Sequence, residues 1–460
     1  MSLWRHLQEN AQTFPERRFI VGPRRRLNYR EAFEQTVAAG DYFRALNSGT
    51  IFFYAFDSPA VAIGLIAADL VGVTACVLNR RDDELSARRT IDDLGKGHLF
   101  TDEPHLVAVR GAVDHVREIL LAGKDARATV WDEKPEQSSG RIVILTSGTT
   151  GRPKAAQYTW SRLVRQVRYA NKVDHQTWLL TYPLNHFAGI QMLLHTLVSG
   201  HTLVIPPSRR FEDVESAVRK HGVDSISATP TFWRMLTGRL MARQKEPFQL
   251  KQITLGGEAS TPELLSGLRR LFPQAALTQV YATTELGTCF SVTDEQAGFP
   301  ATFLERPVGN VRLKIFDDEL YVQSTNKMLG YAGQKSFAAE EEWVATGDIV
   351  EVEGARVFFR GRKGEIINVG GVKVHPGKVE SAILQVEGIQ AVRVFGKPNP
   401  ITGQLVAAEL EPATGLAHEE LIYNVREICR RDLNRYEQPQ EIIISERLAR
   451  RNNKIARGTG

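Results

Sequence analysis

Residues 144–154 read ILTSGTTGRPK, an apolar strand that runs straight into hydroxyls and glycines and ends on a lysine. Glycines let a backbone fold closely round phosphate oxygens. Gly148 and Gly151 would permit this here, while Thr146, Ser147, Thr149 and Thr150 offer hydroxyl donors and Lys154 a cation. A Walker-type loop is excluded, because no GxxxxGK[ST] spacing fits over Gly148, Gly151 and Lys154. A strand ending in a phosphate cradle suits an open α/β sheet, where ligands collect at strand ends. Working outward, TIFFYAF (50–56), a helix opened by Asp57, Ser58 and Pro59, and VTACVL (73–78) make a βαβ unit and hence parallel sheet. The alternation returns with RIVIL (141–145), a helix near 160–171, TWLLTYPL (177–184) and a helix from about Gly189 to Leu197. Short apolar strands TLVIP (202–206), ISATP (226–230), QITLGG (252–257) and LTQVYATTE (277–285) continue it.

The texture changes after residue 300. VRLKIFDD (311–318), ELYVQS (319–324), DIVEVEG (348–354) and ARVFFRG (355–361) alternate with turns and predict a β-rich subdomain. Beyond Gly361 the pattern changes again. It predicts a helix over 376–385, strands VRVFG (392–396) and QLVAAEL (404–410), a helix over 418–433 and a strand EIIIS (441–445), enough for a small α+β domain. The chain of 460 residues exceeds one ordinary core. The expected fold is α/β: an N-terminal domain over 1–361, built from layered α/β subdomains and the β-rich one, and a C-terminal α+β domain over 362–460.

Composition narrows the function. Hydrophobic residues at 42% and charged residues at 24% are globular values, and no low-complexity tract interrupts them. The net charge of +5 comes from scattered clusters such as Arg24, Arg25 and Arg26, without the interleaved aromatics of a base-stacking platform, so no nucleic-acid partner is expected. Three well-separated cysteines, Cys76, Cys289 and Cys429, form no zinc or redox spacing and point to a reducing compartment. The N-terminus lacks the apolar core of a signal peptide, and the apolar run 61–71 is short and holds Asp69. A cytoplasmic protein with no integral membrane segment is expected.

Further motifs follow the first in order. In YATTE (281–285) Tyr281 offers a flat face for a purine, Thr283 and Thr284 hydroxyls, and Glu285 a hard oxygen for Mg²⁺. Asp348 in TGD (346–348) is shaped to accept hydrogen bonds from ribose hydroxyls. With GRKGEIINVGGVKVHPGKVE (361–380) and NNKIAR (452–457), these strings resemble the adenylate-forming (AMP-binding) superfamily of acyl- and aryl-CoA synthetases, luciferases and peptide-synthetase adenylation domains. In motif style the chain is most similar to stand-alone acyl- and aryl-acid ligases. The resemblance spans 144–457, and the first 140 residues carry no diagnostic string.

The resemblance implies roles residue by residue. Thr146, Ser147, Gly148, Thr149, Thr150 and Lys154 would cradle phosphates of ATP. Tyr281 would pack on adenine, Thr284 meet the α-phosphate, and Glu285 hold magnesium. GGEAS (256–260) resembles the adenine-edge loop, with Gly257, Glu258 and Ala259 near the base. Asp348 and Arg362 would take the ribose, and Lys454 would bridge substrate carboxylate and α-phosphate. Gly364 falls at the hinge before a mobile C-terminal domain, and Gly370 and Gly371 in the loop lining the pantetheine tunnel. Two departures stand out: Ala282 where the family more often has Gly, and Asn453 where Gly is usual.

YPLNHFAGIQ (182–191) resembles the segment that carries a pocket-gating histidine in acid ligases, here His186. The aspartate that pairs an α-amino group in amino-acid-activating relatives is not evident there. The expected substrate is therefore an aryl or short-to-medium acyl carboxylic acid, with Phe187, Gly189, Gly257, Ala282 and Thr283 as candidate pocket walls. The expected reaction forms an acyl-adenylate with release of pyrophosphate, then transfers the acyl group to the pantetheine thiol of coenzyme A or a separate carrier protein. Arg209, Arg210, Arg430 and Arg431 could meet the phosphates of coenzyme A or an acidic carrier, or be plain solvated charges. Two alternatives stay open: transfer to an amine or to no thiol, and a catalytically silent nucleotide-binding relative.

Overall fold

The computed structural model describes residues 2–79, 84–95, 97–101, 115–118, 140–146, 154–167, 174–242, 246–334, 337–339, 341–413, 417–451 and 454–455. It divides into two compact units. One comprises Met1–Ser227, Ala282–Thr288 and Asn326–Ala339; the other comprises Ala228–Tyr281, Cys289–Thr325 and Glu340–Gly460.

In the first unit the expected βαβ crossover is present. Strands Thr50–Tyr54 and Thr74–Val77 are parallel, with Thr50 opposite Thr74 and Phe53 opposite Val77, and helix Pro59–Val71 connects them. The helix starts where Ser58 Oγ accepts from Val61 N and Pro59 presets the first turn. Eleven of its thirteen residues are buried, so it is a helix covered on all sides. The helices Leu3–Thr13 and Tyr29–Leu46 pack on it. Asp69, fully buried, has a structural reason: its Oδ2 accepts from Leu3 N at 2.6 Å, placing a carboxylate at the N-terminus of helix Leu3–Thr13.

Two sheets frame this unit. In one, Ser225–Ala228, Thr177–Leu180, Thr202–Val204 and Arg18–Val21 lie side by side and parallel, with Arg26–Asn28 antiparallel at the edge. In the other the order is Gly330–Tyr331, Lys154–Thr159, Arg141–Thr146, Thr74–Val77, Thr50–Tyr54, His98–Thr101, His115–Glu118. The strand expected over 177–184 stops at Leu180, and Pro183, lacking an N–H, cannot continue a ladder. The helix expected near 160–171 is described as Trp160–Val164, and residues 168–171 lie outside the described residues.

The second unit contains strand Gln252–Gly256 and, through Tyr281, the strand Ala276–Thr283 parallel to it, with Gln252 opposite Ala276. It also contains the expected β-rich part, an antiparallel sheet in the order Phe299–Pro300, Arg356–Arg362, Val344–Glu353, Glu319–Ser324, Val311–Phe316. Toward the C-terminus a further sheet holds Val372–Val374, Ile367–Val369, Gly403–Pro412 and Ile389–Asn399, with Glu441–Ile444 parallel to Gly403–Pro412. Helices Pro376–Ile383 and His418–Asp432 close a core around Val374, Ile383, Leu410 and Val425. Among the described residues no helix is long and apolar enough to cross a membrane. Cys76, Cys289 and Cys429 are buried and form no disulfide with one another.

Candidate active site

In the first unit, Thr146 and Lys154 are register partners where the antiparallel strands Arg141–Thr146 and Lys154–Thr159 meet. The signature loop therefore starts and ends on the same rung of the ladder. Ser147, Gly148, Thr149, Thr150 and Gly151 lie outside the described residues.

The segment Ala282–Thr288 is pinned along its backbone. Thr283 Oγ1 accepts from Leu286 N (3.1 Å), the Thr284 carbonyl from the Tyr158 hydroxyl (2.8 Å), the Glu285 carbonyl from Met328 N (2.9 Å), and Thr288 N donates to Gln166 Oε1 (2.9 Å). Thr283 thus braces the turn, and Ala282 packs against the unit's core. The rigid turn sets the direction of the Glu285 side chain. Its Oε1 accepts from the Tyr331 hydroxyl at 2.8 Å, and its second oxygen has no partner among the described residues.

Tyr331 was not singled out by sequence. It sits on the short strand beside Lys154–Thr159, opposite Ala156, and the Lys154 Nζ lies 5.3 Å from its ring centroid. Burial, and secondly the Glu285 charge, push its hydroxyl well above the ordinary phenol range, so it remains a hydrogen-bond donor. Tyr331→Phe keeps the ring and removes the donor. We expect about a tenfold fall in activity, within the range for losing one charge-assisted hydrogen bond. The loss should come with a higher Mg²⁺ requirement and an unchanged KM for the acid, read by magnesium titration of pyrophosphate release. An unchanged magnesium profile would make Tyr331 a packing residue only.

His186 precedes helix Phe187–Ser199 and takes extended backbone angles there. Its N–H donates to the Pro183 carbonyl at 3.1 Å. Asp57 Oδ1 accepts from Leu184 N at 2.9 Å, and Arg209 pairs with Asp57 while its Nε donates to the Thr181 carbonyl at 2.9 Å. Arg209 therefore braces the segment leading to His186. Phe187 is buried, 6.1 Å from the Tyr158 ring.

Gly189 has a strict reason to be glycine, because a Cβ there would lie 2.0 Å from the Pro183 carbonyl oxygen. Gly189→Ala should displace the His186 turn and cost about 1–3 kcal/mol, measured by urea unfolding. Wild-type stability in that variant would show that the turn yields freely.

In the second unit, Asp348 and Arg362 are register partners on adjacent strands, and the register slips immediately beyond Ile349 and Gly361. Such a bulge re-aims side chains. Arg362 Nε meets Asp348 Oδ1 at 2.8 Å, and the Tyr281 hydroxyl donates to Asp348 Oδ2 at 2.6 Å. The Tyr281 ring stacks with Phe290 and Phe359, centroids 5.1 and 5.0 Å away. Tyr281 thus supports Asp348 through its hydroxyl. Burial first, then Asp348, raises the Tyr281 pKa well above the usual range, which keeps it a donor.

The turn before Asp348 is anchored by Glu319, only 4% exposed, which accepts from Gly347 N at 2.9 Å and Lys363 Nζ at 2.8 Å. Neither Glu319 nor Lys363 carried a sequence signal. Gly364 lies in the short 3₁₀ turn Lys363–Glu365 with ordinary φ, and the unusual backbone angle falls at Gly361, φ +125°. At this junction the conformational freedom of glycine is used at Gly361. Gly370 and Gly371 form the tight turn between Ile367–Val369 and Val372–Val374.

Gly257, Glu258 and Ala259 follow strand Gln252–Gly256, and a Glu258 oxygen accepts from Thr231 N at 2.9 Å. Beside them lies Arg234, also unforeseen. Its Nη2 donates to Thr231 Oγ1 at 3.0 Å, while Nε and Nη1 are buried and meet no acceptor among the described residues. Burial lowers its pKa, opposed by the charges of Glu258 and Glu380. Arg430 pairs with Glu427 at 2.5 Å and Arg431 with Asp432 at 2.7 Å, so both are satisfied locally. Arg451 and Lys454 are opposite each other in a two-stranded antiparallel ladder.

The chain belongs to the AMP-binding enzyme family, which it matches over residues 7–332, and it matches the C-terminal domain of AMP-binding enzymes over 378–454. It is similar to the 2-succinylbenzoate–CoA ligase of Bacillus velezensis, 26% identical, with 98% of this chain and 96% of that protein covered. It is also similar to the feruloyl-CoA synthase of an Amycolatopsis species, 28% identical over 85% of this chain and 83% of that protein. Among solved structures, the anthranilate CoA ligase AuaEII in complex with anthranoyl-AMP superposes with TM-score 0.84 at 18% identity, covering 99% of this chain and 95% of that one. The O-succinylbenzoate coenzyme A synthetase of Bacillus subtilis with ATP and magnesium superposes with TM-score 0.78 at 23% identity, covering 99% and 98%. These likenesses bear out the expected α/β fold class and its small C-terminal domain.

Proposed function

We propose that the chain is an AMP-forming acid–CoA ligase for an aryl carboxylic acid. The observation that carries adenylation is the Glu285 carboxylate, fixed by Tyr331 through one oxygen and without a partner among the described residues at the other. A hard, half-buried oxygen on a pinned turn fits Mg²⁺, which binds through one or two carboxylates together with substrate phosphates and water. When bound, the ion would neutralise charge on the phosphates of ATP.

The other roles follow chemistry and family resemblance. Asp348 accepts from ribose hydroxyls, its carboxylate aimed by Tyr281 and Arg362. Thr146, Ser147, Gly148, Thr149, Thr150 and Lys154 hold phosphates, and Thr284 meets the α-phosphate. The substrate carboxylate attacks the α-phosphorus in line, the bond to the bridging oxygen breaks, and pyrophosphate leaves. Lys454 stabilises the charge that builds between carboxylate and phosphate. In the second half-reaction the coenzyme A thiolate attacks the acyl carbonyl and AMP departs, the C-terminal domain over 362–460 having turned about the Gly361–Gly364 junction so that Gly370 and Gly371 line the pantetheine path. His186, Phe187, Gly189, Gly257, Ala282 and Thr283 border the acyl group.

Aromatic acids are favoured because the named activities of the similar ligases, on 2-succinylbenzoate, ferulate and anthranilate, share an aromatic acid. Arg234 favours an aryl acid with a second negative group, since a buried guanidinium with unanswered N–H groups gains most from an anionic acceptor. The test compares benzoate, ferulate, 2-succinylbenzoate and straight-chain alkyl acids as substrates, with coenzyme A and with a phosphopantetheinylated carrier protein. The reading expects an aryl-CoA product, with the dicarboxylate preferred and the preference lost in Arg234→Met. Turnover of alkyl acids alone, or product only on the carrier, would overturn it.

A further inference from the structure

The first unit holds a cavity of about 530 Å³ between the hairpin that joins Arg18–Val21 to Arg26–Asn28 and the helix Phe211–His221. It opens beyond the carboxyl ends of the parallel strands Arg18–Val21 and Thr202–Val204, the edge of an α/β sheet where ligands collect. One wall carries Arg24, Arg25 and Arg26, and the helix Phe211–His221 contributes Lys220, His221 and Asp213. None of Arg24, Arg25, Arg26 and Lys220 makes an ion pair with a described residue, whereas Asp213 is engaged by the Ser208 hydroxyl at 2.5 Å.

Lys220 and His221 alone could be explained as the basic last turn of a helix, which its dipole favours. That leaves unexplained why three arginines on a separate hairpin converge on the same space. The crowding has a consequence at His221, whose pKa is lowered by burial and then by Arg26, Lys220 and Arg18. A concavity within the 300–1,000 Å³ range of small-molecule sites suits a compact ligand better than a flat partner surface. Guanidinium forks match phosphate oxygens in geometry as well as charge.

We propose that this cavity is an anion site, separate from the nucleotide motifs, that takes a small molecule carrying at least two phosphate charges. Two sources share that chemistry: a free polyphosphate such as pyrophosphate, and the phosphates of a nucleotide such as adenosine 3′,5′-bisphosphate. The full chain is titrated calorimetrically with each at low ionic strength, as wild type, R24E/R26E, K220Q and Asp348→Ala.

Binding should weaken by about tenfold or more in R24E/R26E, by less in K220Q, and not at all in Asp348→Ala, and it should fall with added salt. Acid-dependent pyrophosphate release by R24E/R26E should match wild type. Heat with pyrophosphate alone assigns the free polyphosphate, and heat with the bisphosphate alone assigns the nucleotide. No binding of either below about 10 mM, or wild-type binding by R24E/R26E, overturns the proposal. If R24E/R26E does not fold, unchanged affinity in K220Q overturns it in the same way.

Discussion

Lys454→Ala should lower acid-dependent pyrophosphate release by about 10²–10³-fold, the range for removing one preorganised donor to charge developing in a transition state. In the proposed role the ammonium would interact more strongly with the pentacoordinate α-phosphorus and attacking carboxylate than with the separate ground-state groups, so the loss should fall on kcat more than on KM. Lys454 lies in a ladder of two short strands, and truncating its side chain should leave the thermal midpoint unchanged. Thioester formation from a supplied acyl-adenylate should also survive, since no phosphoryl transfer remains in that step. Equal loss of both half-reactions would assign Lys454 to general architecture.

Glu285→Gln is the second large effect. The amide keeps an oxygen that accepts the Tyr331 hydroxyl, so the local fold should hold, but the charge and the hard second oxygen are gone. We expect adenylation to fall by about 10²-fold or more, with partial recovery at high Mg²⁺. The same variant should bind AMP, whose recognition is assigned to Asp348 and Arg362, with little change. Full activity in Glu285→Gln would remove the metal role outright. The milder Tyr331→Phe reads the same carboxylate from its support, and the two losses should be less than additive because both act through one side chain.

Much of the fold was legible in local pattern. TIFFYAF, Asp57–Ser58–Pro59 and VTACVL carry strand, cap and strand signals within 30 residues, and the structure places them as that crossover. The β-rich part and the two C-terminal helices were equally readable from alternation and periodicity. Tyr331, Glu319, Lys363 and Arg234 were not. Tyr331 reaches Glu285 across 46 positions and Glu319 reaches Gly347 across 28, through sheet orders that no local motif encodes. Tyr281 shows the intermediate case. YATTE marked it as a candidate purine platform, but its bond to Asp348 required the register that sets Asp348 opposite Arg362. Gly364 shows the reverse, since a glycine read as the flexible point has ordinary angles while Gly361 carries the unusual one.

The central claim is acid activation at the expense of ATP, followed by transfer to coenzyme A. The most direct measurement is pyrophosphate release from Mg·ATP over a panel of aryl, fatty and amino acids, with and without coenzyme A, in wild type and Lys454→Ala. The account predicts release with an aryl acid, loss of it in the variant, and aryl-CoA formed in step with AMP when coenzyme A is present. Release driven by an amino acid, or no release with any acid from a chain that still binds ATP, would contradict it.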